Sequence, residues 1–162
     1  MKTTLVIGYG NTLRSDDGVG QKVAEIVAGW ELEGVRSLPV HQLTPELADD
    51  MAQVETVIFV DVYSSLTPPL VRGVGGDQTL VTEVEDDQII IKTLENNQIN
   101  HNFGHTSSPE FLLYLTEKLY NTKPQCYWVL IPGINFEFGE ELSEMTEAKK
   151  AIALQKIREI IM

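Results

Sequence analysis

The spacing of apolar positions along the chain predicts an alternation of strands and helices. Thr4 to Ile7 (TLVI) is a short apolar run rich in β-branched residues and closed by Gly8, the pattern of a buried strand. From Gly18 to about Ala28, Val19, Val23, Ile26 and Val27 recur at helical spacing. Val35 to Val40 reads as a second strand. The stretch "TPELADDMA" that follows reads as a short helix, with Thr44 as cap, Pro45 at its first position, and Leu47 and Met51 on one face. Thr56 to Val62 (TVIFVDV) is the strongest strand, apolar enough for burial on both faces as in a parallel sheet.

Residues 64 to 79 hold Pro68, Pro69, Gly73, Gly75 and Gly76 and read mostly as turn or loop. Val81 to Glu83 and Ile89 to Lys92 read as short strands. "TSSPEFLLYLTEKLY" predicts a helix with Ser108 as cap, Pro109 at its first position, and Leu112, Leu115 and Leu119 inward. Tyr127 to Ile131 (YWVLI) is another buried strand, closed by Pro132 and Gly133. A last helix runs from about Ser143, with Ala148, Ala151, Ile152, Leu154, Ile157 and Ile161 as its core stripe. The economical architecture is one domain over 1–162, a three-layer α/β sandwich with a largely parallel sheet flanked by helices. Open parallel sheets bind ligands beyond the carboxyl ends of their strands, here after Ile7, Val60 and Ile131.

Charge narrows the partners. Twelve Lys and Arg against 24 Asp and Glu leave a net charge of -12, which opposes nucleic acid and anionic membrane as ligands. The single Cys126 excludes an internal disulfide and a cysteine-based metal cluster. With no signal-peptide pattern at the N-terminus and no apolar run near the ~20 residues that span a bilayer, the expectation is a cytoplasmic protein; it is taken as a monomer.

The loop "GYGNTLRSDDGVG" looks at first like a phosphate cradle. It has Gly8 and Gly10, but Leu13 stands where a dinucleotide fingerprint needs its third Gly. Asp16 and Asp17 would also repel a pyrophosphate at the coming helix N-terminus, so no nucleotide is expected. A helix cap by Ser15 or Asp16 accounts for one acid and leaves Asp17 for other work. Asp61 lies at the carboxyl end of the strongest strand, where a carboxylate among apolar residues is costly unless paired or bound to metal. His101 and His105 lack the helix and the Glu of a zinc-protease motif. His105, just before the capped helix, is the histidine placed at the sheet edge, and His101 and His41 read as hydrogen-bonding loop residues. There is no G-x-S-x-G elbow, Ser107 and Ser108 read as cap residues, and Cys126 reads as core. Any hydrolysis must then use an activated water. Asp17, Asp61 and His105 remain, a donor set suited to Ni or Zn with open positions.

"VIGYGNTLRSDDGVG", "VIFVDVYSS" and "GHTSSPEFL" together resemble the maturation endopeptidases of [NiFe] hydrogenases, and the resemblance extends through "VLIPGINFEFGEELSE". It implies an α/β sandwich and an endopeptidase that removes the C-terminal extension of the hydrogenase large-subunit precursor after nickel insertion. The family's three metal-binding residues fall on Asp17, Asp61 and His105. Nickel is then supplied by the precursor, and its recognition licenses cleavage, with the metal as Lewis acid or water activator and a carboxylate as general base. "HQLTPEL" at 41–47 and the loops 63–79 and 133–142, with Tyr63, Phe136 and Phe138, are the places to expect substrate contacts. The same residues would also serve a non-catalytic metal-sensing chaperone or docking module for a metalloprotein precursor. A phosphoryl or nucleoside enzyme is disfavoured, because Arg14 is the only base near the loop.

Overall fold

The structure, a computed structural model, describes residues 3–66, 70–72, 78–80, 88–95 and 108–162. Its elements are β1 (Thr4–Tyr9), a 3-10 turn (Ser15–Gly18), α1 (Val19–Gly29), β2 (Val35–Val40), α2 (Leu47–Met51), β3 (Thr56–Ser64), β4 (Leu70–Arg72), β5 (Gln78–Leu80), β6 (Ile90–Leu94), α3 (Pro109–Tyr120), β7 (Gln125–Gly133) and α4 (Glu144–Ile161). Five strands form one sheet in the order β2-β1-β3-β7-β6, and β4 pairs with β5 in a separate antiparallel hairpin. The first four strands of the large sheet run parallel, and β6 closes its edge antiparallel to β7. The predicted three-layer α/β sandwich is the observed one. No helix among the described residues is long and apolar enough to cross a membrane.

Each face of the sheet carries its own core. Leu5, Ile7, Val57, Phe59 and Cys126 alternate onto the face covered by α2 and α3, where Met51, Leu112 and Leu113 meet them. Val6, Ile58, Val60, Val129 and Ile131 point to the other face, against Val19, Val23 and Val27 of α1 and Ala153 and Ile157 of α4. Period-two alternation with both faces apolar is what a parallel sheet between helix layers requires.

Several boundaries differ from the sequence pattern for identifiable reasons. Gly8 does not end β1; it pairs with Pro39 and Val60, and the strand continues to Tyr9. A Cβ on Gly8 would lie 1.9 Å from the Gly20 carbonyl oxygen, so this glycine lets α1 pack directly on the strand. Thr44 does not cap α2, which has only five residues and no side-chain cap. Its hydroxyl instead holds the Glu46 carboxylate, keeping that acid below its usual range. Within the stretch 64–79, expected to be mostly turn or loop, lie β4 and the start of β5. The expected strand at 81–83 lies outside the described residues.

On α3, Ser108 caps as expected, its hydroxyl accepting the Phe111 N–H at 3.1 Å. Pro109, Leu112, Leu113 and Thr116 are buried and Leu115 packs against the core, whereas Leu119 is exposed. Leu119 shares the face of Leu112 but lies two turns further along, in the last turn of the helix. On α4 the inward stripe is Thr146, Ala153 and Ile157. Ala148, Ala151 and Ile152 face solvent, because they cluster on the side of the helix opposite the row through 153 and 157.

Candidate functional site

In the strand order, the chain leaves β1 toward β2 on one side and returns to β3 on the other. The crevice outside the carboxyl ends of β1 and β3 is therefore the topological switch point of the sheet. Asp17 and Asp61 flank it. Asp17 comes from the loop after β1, where its Oδ2 accepts the Asn11 N–H at 2.8 Å. That loop can fold back because Gly10 adopts φ +139°, and a Cβ there would sit 2.0 Å from the Asp17 carbonyl oxygen. Ser15 is held at φ 52°, a left-handed conformation that costs a non-glycine residue about 1–2 kcal/mol. Its N–H donates to the Gly139 carbonyl at 2.8 Å and its hydroxyl to the Glu137 carbonyl at 2.8 Å. Strain of this kind persists only where the surroundings over-determine it.

Asp61 projects from β3 onto the α3 face, in the alternation that also places Phe59 and Val57 there. It is half-buried, and its Oδ1 accepts the N–H of Val62 at 2.8 Å. Burial pushes its carboxyl up to about 7, and the negative charge of Asp17 adds to the rise. The Val62 N–H and the Tyr9 hydroxyl act the other way by hydrogen-bonding the ionised form. Asp17 and Asp61 are thus near enough to sense one another. The result is a carboxylate that exchanges protons near neutral pH beside one held in the loop.

Asp16 does something other than cap the first helix. Neither the 3-10 turn nor α1 has a side-chain cap. Fully buried, Asp16 accepts the N–H groups of Ile134 at 2.9 Å, Asn135 at 3.0 Å and Ser143 at 2.7 Å, together with the Ser143 hydroxyl at 2.9 Å. Burial alone would raise its pKa, but these donors hold it below the usual carboxylate value. Asp16 therefore ties the Asp17 loop to the segment between β7 and α4.

His105 and His101 lie outside the described residues. The first turn of α3 nevertheless stands at the same crevice, because Glu110 acts electrostatically on both Tyr9 and Lys92. His41 is exposed and supplies its carbonyl to the Gly10 N–H at 3.2 Å, which agrees with a loop hydrogen-bonding role. Within "HQLTPEL", Leu43 and Leu47 are core residues, so they are closed to a substrate. Tyr63 is also buried, its hydroxyl donating to the Gln88 carbonyl. Phe136 is half-buried and Phe138 is 89% exposed.

The residue most plainly missed from sequence is Tyr9. Burial raises its hydroxyl's pKa strongly, and Asp61 raises it further as charge and as hydrogen-bond acceptor. Leu5, Ile7 and Tyr9 share one face by simple alternation, and ending the strand at Gly8 hid this. Beyond Tyr9 lies Trp128, with the Lys92 ammonium 5.3 Å from its ring centroid. The Trp128 indole lies near enough to the Tyr9 hydroxyl to offset part of its rise. Its N–H nevertheless makes no hydrogen bond of acceptable geometry among the described residues.

Nucleophiles are scarce here. Cys126 is buried in the core, and burial pushes its thiol up to about 12, so it is inert as a thiolate. Ser15 donates to a carbonyl, and Ser108 and Ser143 cap helices. No three His, Cys, Asp or Glu side chains among the described residues converge to hold a metal ion. The Asp17–Asp61 pair would need a further ligand from elsewhere.

No family model and no curated protein matches the sequence. Solved structures do match. The [NiFe] hydrogenase maturation protease HycI from Thermococcus kodakarensis superposes with a TM-score of 0.68 at 18% identity, over 98% of this chain and 92% of that one. The fold is that of the hydrogenase maturation proteases. A hydrogenase 2 maturation peptidase from a Thaumarchaeota archaeon gives a TM-score of 0.65 at 22% identity, covering 99% of this chain and 98% of its own. The hydrogenase maturating endopeptidase HybD from E. coli gives 0.64 at 19%, covering 96% and 89%. The resemblance read from the three sequence motifs is thus matched by the architecture over almost the whole chain.

Proposed function

We propose that this protein is a cytoplasmic, monomeric endopeptidase that removes the C-terminal extension of a [NiFe] hydrogenase large-subunit precursor once nickel has been inserted. The observation that carries this reading is the meeting of Asp17 and Asp61 at the switch point of the sheet, in a fold shared with proteins named as hydrogenase maturation proteases. Two carboxylates in a crevice with no thiol, serine or threonine nucleophile among the described residues suit a cation and an activated water. Nickel enters as part of the substrate, and Asp17, Asp61 and His105 are assigned as the residues that recognise it. His105 takes that place on the sequence motif alone.

Nickel bound there would polarise the scissile carbonyl or acidify a water. Asp61, through the carboxylate oxygen not turned to nickel, accepts the proton of the attacking water as the water oxygen bonds to the carbonyl carbon. The same proton passes to the departing amine as the C–N bond breaks, leaving a new carboxyl terminus and a free peptide. Tyr9, through its hydrogen bond, keeps the Asp61 carboxylate oriented and favours its ionised form.

Purified protein incubated with precursor from nickel-fed and nickel-starved cells tests this. Loss of mass from the precursor's C-terminus only with nickel is the expected result. Stable binding of nickel-loaded precursor without any loss of mass would establish a non-catalytic docking module instead.

A further inference from the structure

Nine large hydrophobic residues are exposed among those described, and four of them gather at the carboxyl edge of the sheet. Leu13 is 46% exposed, Leu66 81%, Ile134 46% and Phe138 89%. Leu13 lies on the loop after β1, Leu66 on the turn after β3, and Ile134 and Phe138 on the segment after β7. The other five are scattered over β6, the end of α3, α4 and the C-terminus. Single exposed hydrophobics need no explanation, but a gathering on adjoining loops does.

The backbone beneath these side chains is firmly tied. The Gly139 N–H donates to the Leu13 carbonyl at 2.9 Å, the Ser15 N–H to the Gly139 carbonyl at 2.8 Å, and the Ser65 N–H to the Gly133 carbonyl at 3.0 Å. Asp16 fastens both ends of the 134–143 segment from below, and the Lys22 ammonium donates to the Glu140 carbonyl at 2.8 Å. Phe138 therefore stands in solvent on a fixed support. An aromatic side chain held ready in this way loses little freedom on contact, which is the character of an interface anchor. The segment's own charge has one sign, although the Lys22 ammonium and the Arg14 guanidinium, its Nε donating to the Phe136 carbonyl at 3.3 Å, bond its backbone. Residues 134–147 contain Glu137, Glu140, Glu141, Glu144 and Glu147 and no Lys, Arg or His.

We infer that Leu13, Leu66, Ile134 and Phe138 form the docking surface for the folded body of the precursor. The surface fits a partner patch with an apolar centre and a rim of Lys and Arg. This rests on the protease reading and adds to it a protein-sized contact outside the scissile peptide. The acidic rim steers the basic patch, and the apolar anchors hold it, so that the extension lies over Asp17 and Asp61. Docking thereby selects a folded precursor over free peptides of the same cleavage sequence.

The test compares the wild type with the Leu13→Ala/Phe138→Ala double variant, using Leu119→Ala/Ile152→Ala as the control on exposed residues elsewhere. Binding of purified nickel-loaded precursor is measured by biosensor at low and high salt, and processing by intact mass. A KM and Kd raised at least tenfold in the docking variant, a kcat within twofold at saturating precursor, and wild-type binding that weakens with salt are the expected results. A docking variant whose Kd and KM match the wild type and the control overturns the surface and leaves the protease reading intact. Wild type that binds precursor without cutting it, with binding lost in the docking variant, overturns the protease reading and keeps the surface. Unfolding temperatures of all three proteins, expected within 2 °C of each other, exclude misfolding as the cause. If the docking variant melts far below the others, Glu140→Lys/Glu141→Lys takes its place, and an unchanged salt dependence of its binding overturns the surface.

Discussion

Replacing Asp61 by Asn should stabilise the metal-free protein at alkaline pH while destroying its proposed activity. In the folded chain Asp61 titrates at about 7 against an ordinary value of 3.8, chiefly because it is buried. The folded state therefore keeps a proton that the unfolded chain releases near pH 4. Its contribution to stability is greatest below that pH and is lost as the pH rises through about 7. A shift of this size corresponds to at most about 4 kcal/mol at 1.36 kcal/mol per unit. Partial solvent contact reduces the effect, and only part of it falls between pH 5.5 and 8, which leaves about 1–2 kcal/mol over that interval. Asn keeps an acceptor for the Val62 N–H and the Tyr9 hydroxyl but cannot ionise. Thermal unfolding of chelator-treated wild type and Asp61→Asn at pH 5.5 and 8 reads the difference. For a chain of 162 residues, about 1 kcal/mol moves the midpoint by about 3 °C. The variant's advantage should therefore grow by about 3–6 °C between the two pH values. An advantage that stays constant, or that shrinks as the pH rises, refutes the assignment of a strained carboxylate in this crevice.

Other consequences follow from the same contacts. Asp16→Ala removes the acceptor of four donors at a buried site and should cost about 3 kcal/mol or more by urea denaturation. In the wild type, the stability supplied by Asp16 is present above the ordinary carboxylate pKa. It is lost as pH falls through the lower folded value, so the penalty of Asp16→Ala should shrink in acid. Gly8→Ala drives a Cβ against the Gly20 carbonyl and should destabilise by about 1–3 kcal/mol, separating α1 from β1 in hydrogen-exchange protection. Tyr9→Phe removes a hydrogen bond that favours ionised Asp61. The acid limb of its pH–rate profile should move to higher pH, and an unmoved limb would show that Asp61 is not the group that accepts the proton.

The layered architecture was legible because it depends on periodicity: TLVI, TVIFVDV and YWVLI carry apolar residues on both faces, and the helices between them carry stripes. Asp17 and Asp61 were legible for a related reason, since strand ends are readable and an acid among apolar residues is conspicuous. Asp16 was misread as a helix cap because its partners, Ile134, Asn135 and Ser143, stand more than a hundred residues away. Nothing local announces such contacts. The inward faces of α3 and α4 were legible in part: Leu112, Leu115, Leu154, Ile157 and Ile161 meet the cores, but Leu113 and Ala153 are selected by the sheet they pack on rather than by the helix's own pattern. Tyr9 lay within reach of simple alternation once β1 is allowed to run through a glycine whose missing side chain admits α1.

The most direct test is the mass of nickel-loaded precursor after incubation with wild type, Asp17→Asn and Asp61→Asn, with all three proteins shown to be folded by circular dichroism. The wild type should release the C-terminal extension, and each substitution should slow that release by at least a hundredfold, about 2.7 kcal/mol in barrier height. Release at the wild-type rate by either variant would contradict the placement of the reaction between Asp17 and Asp61.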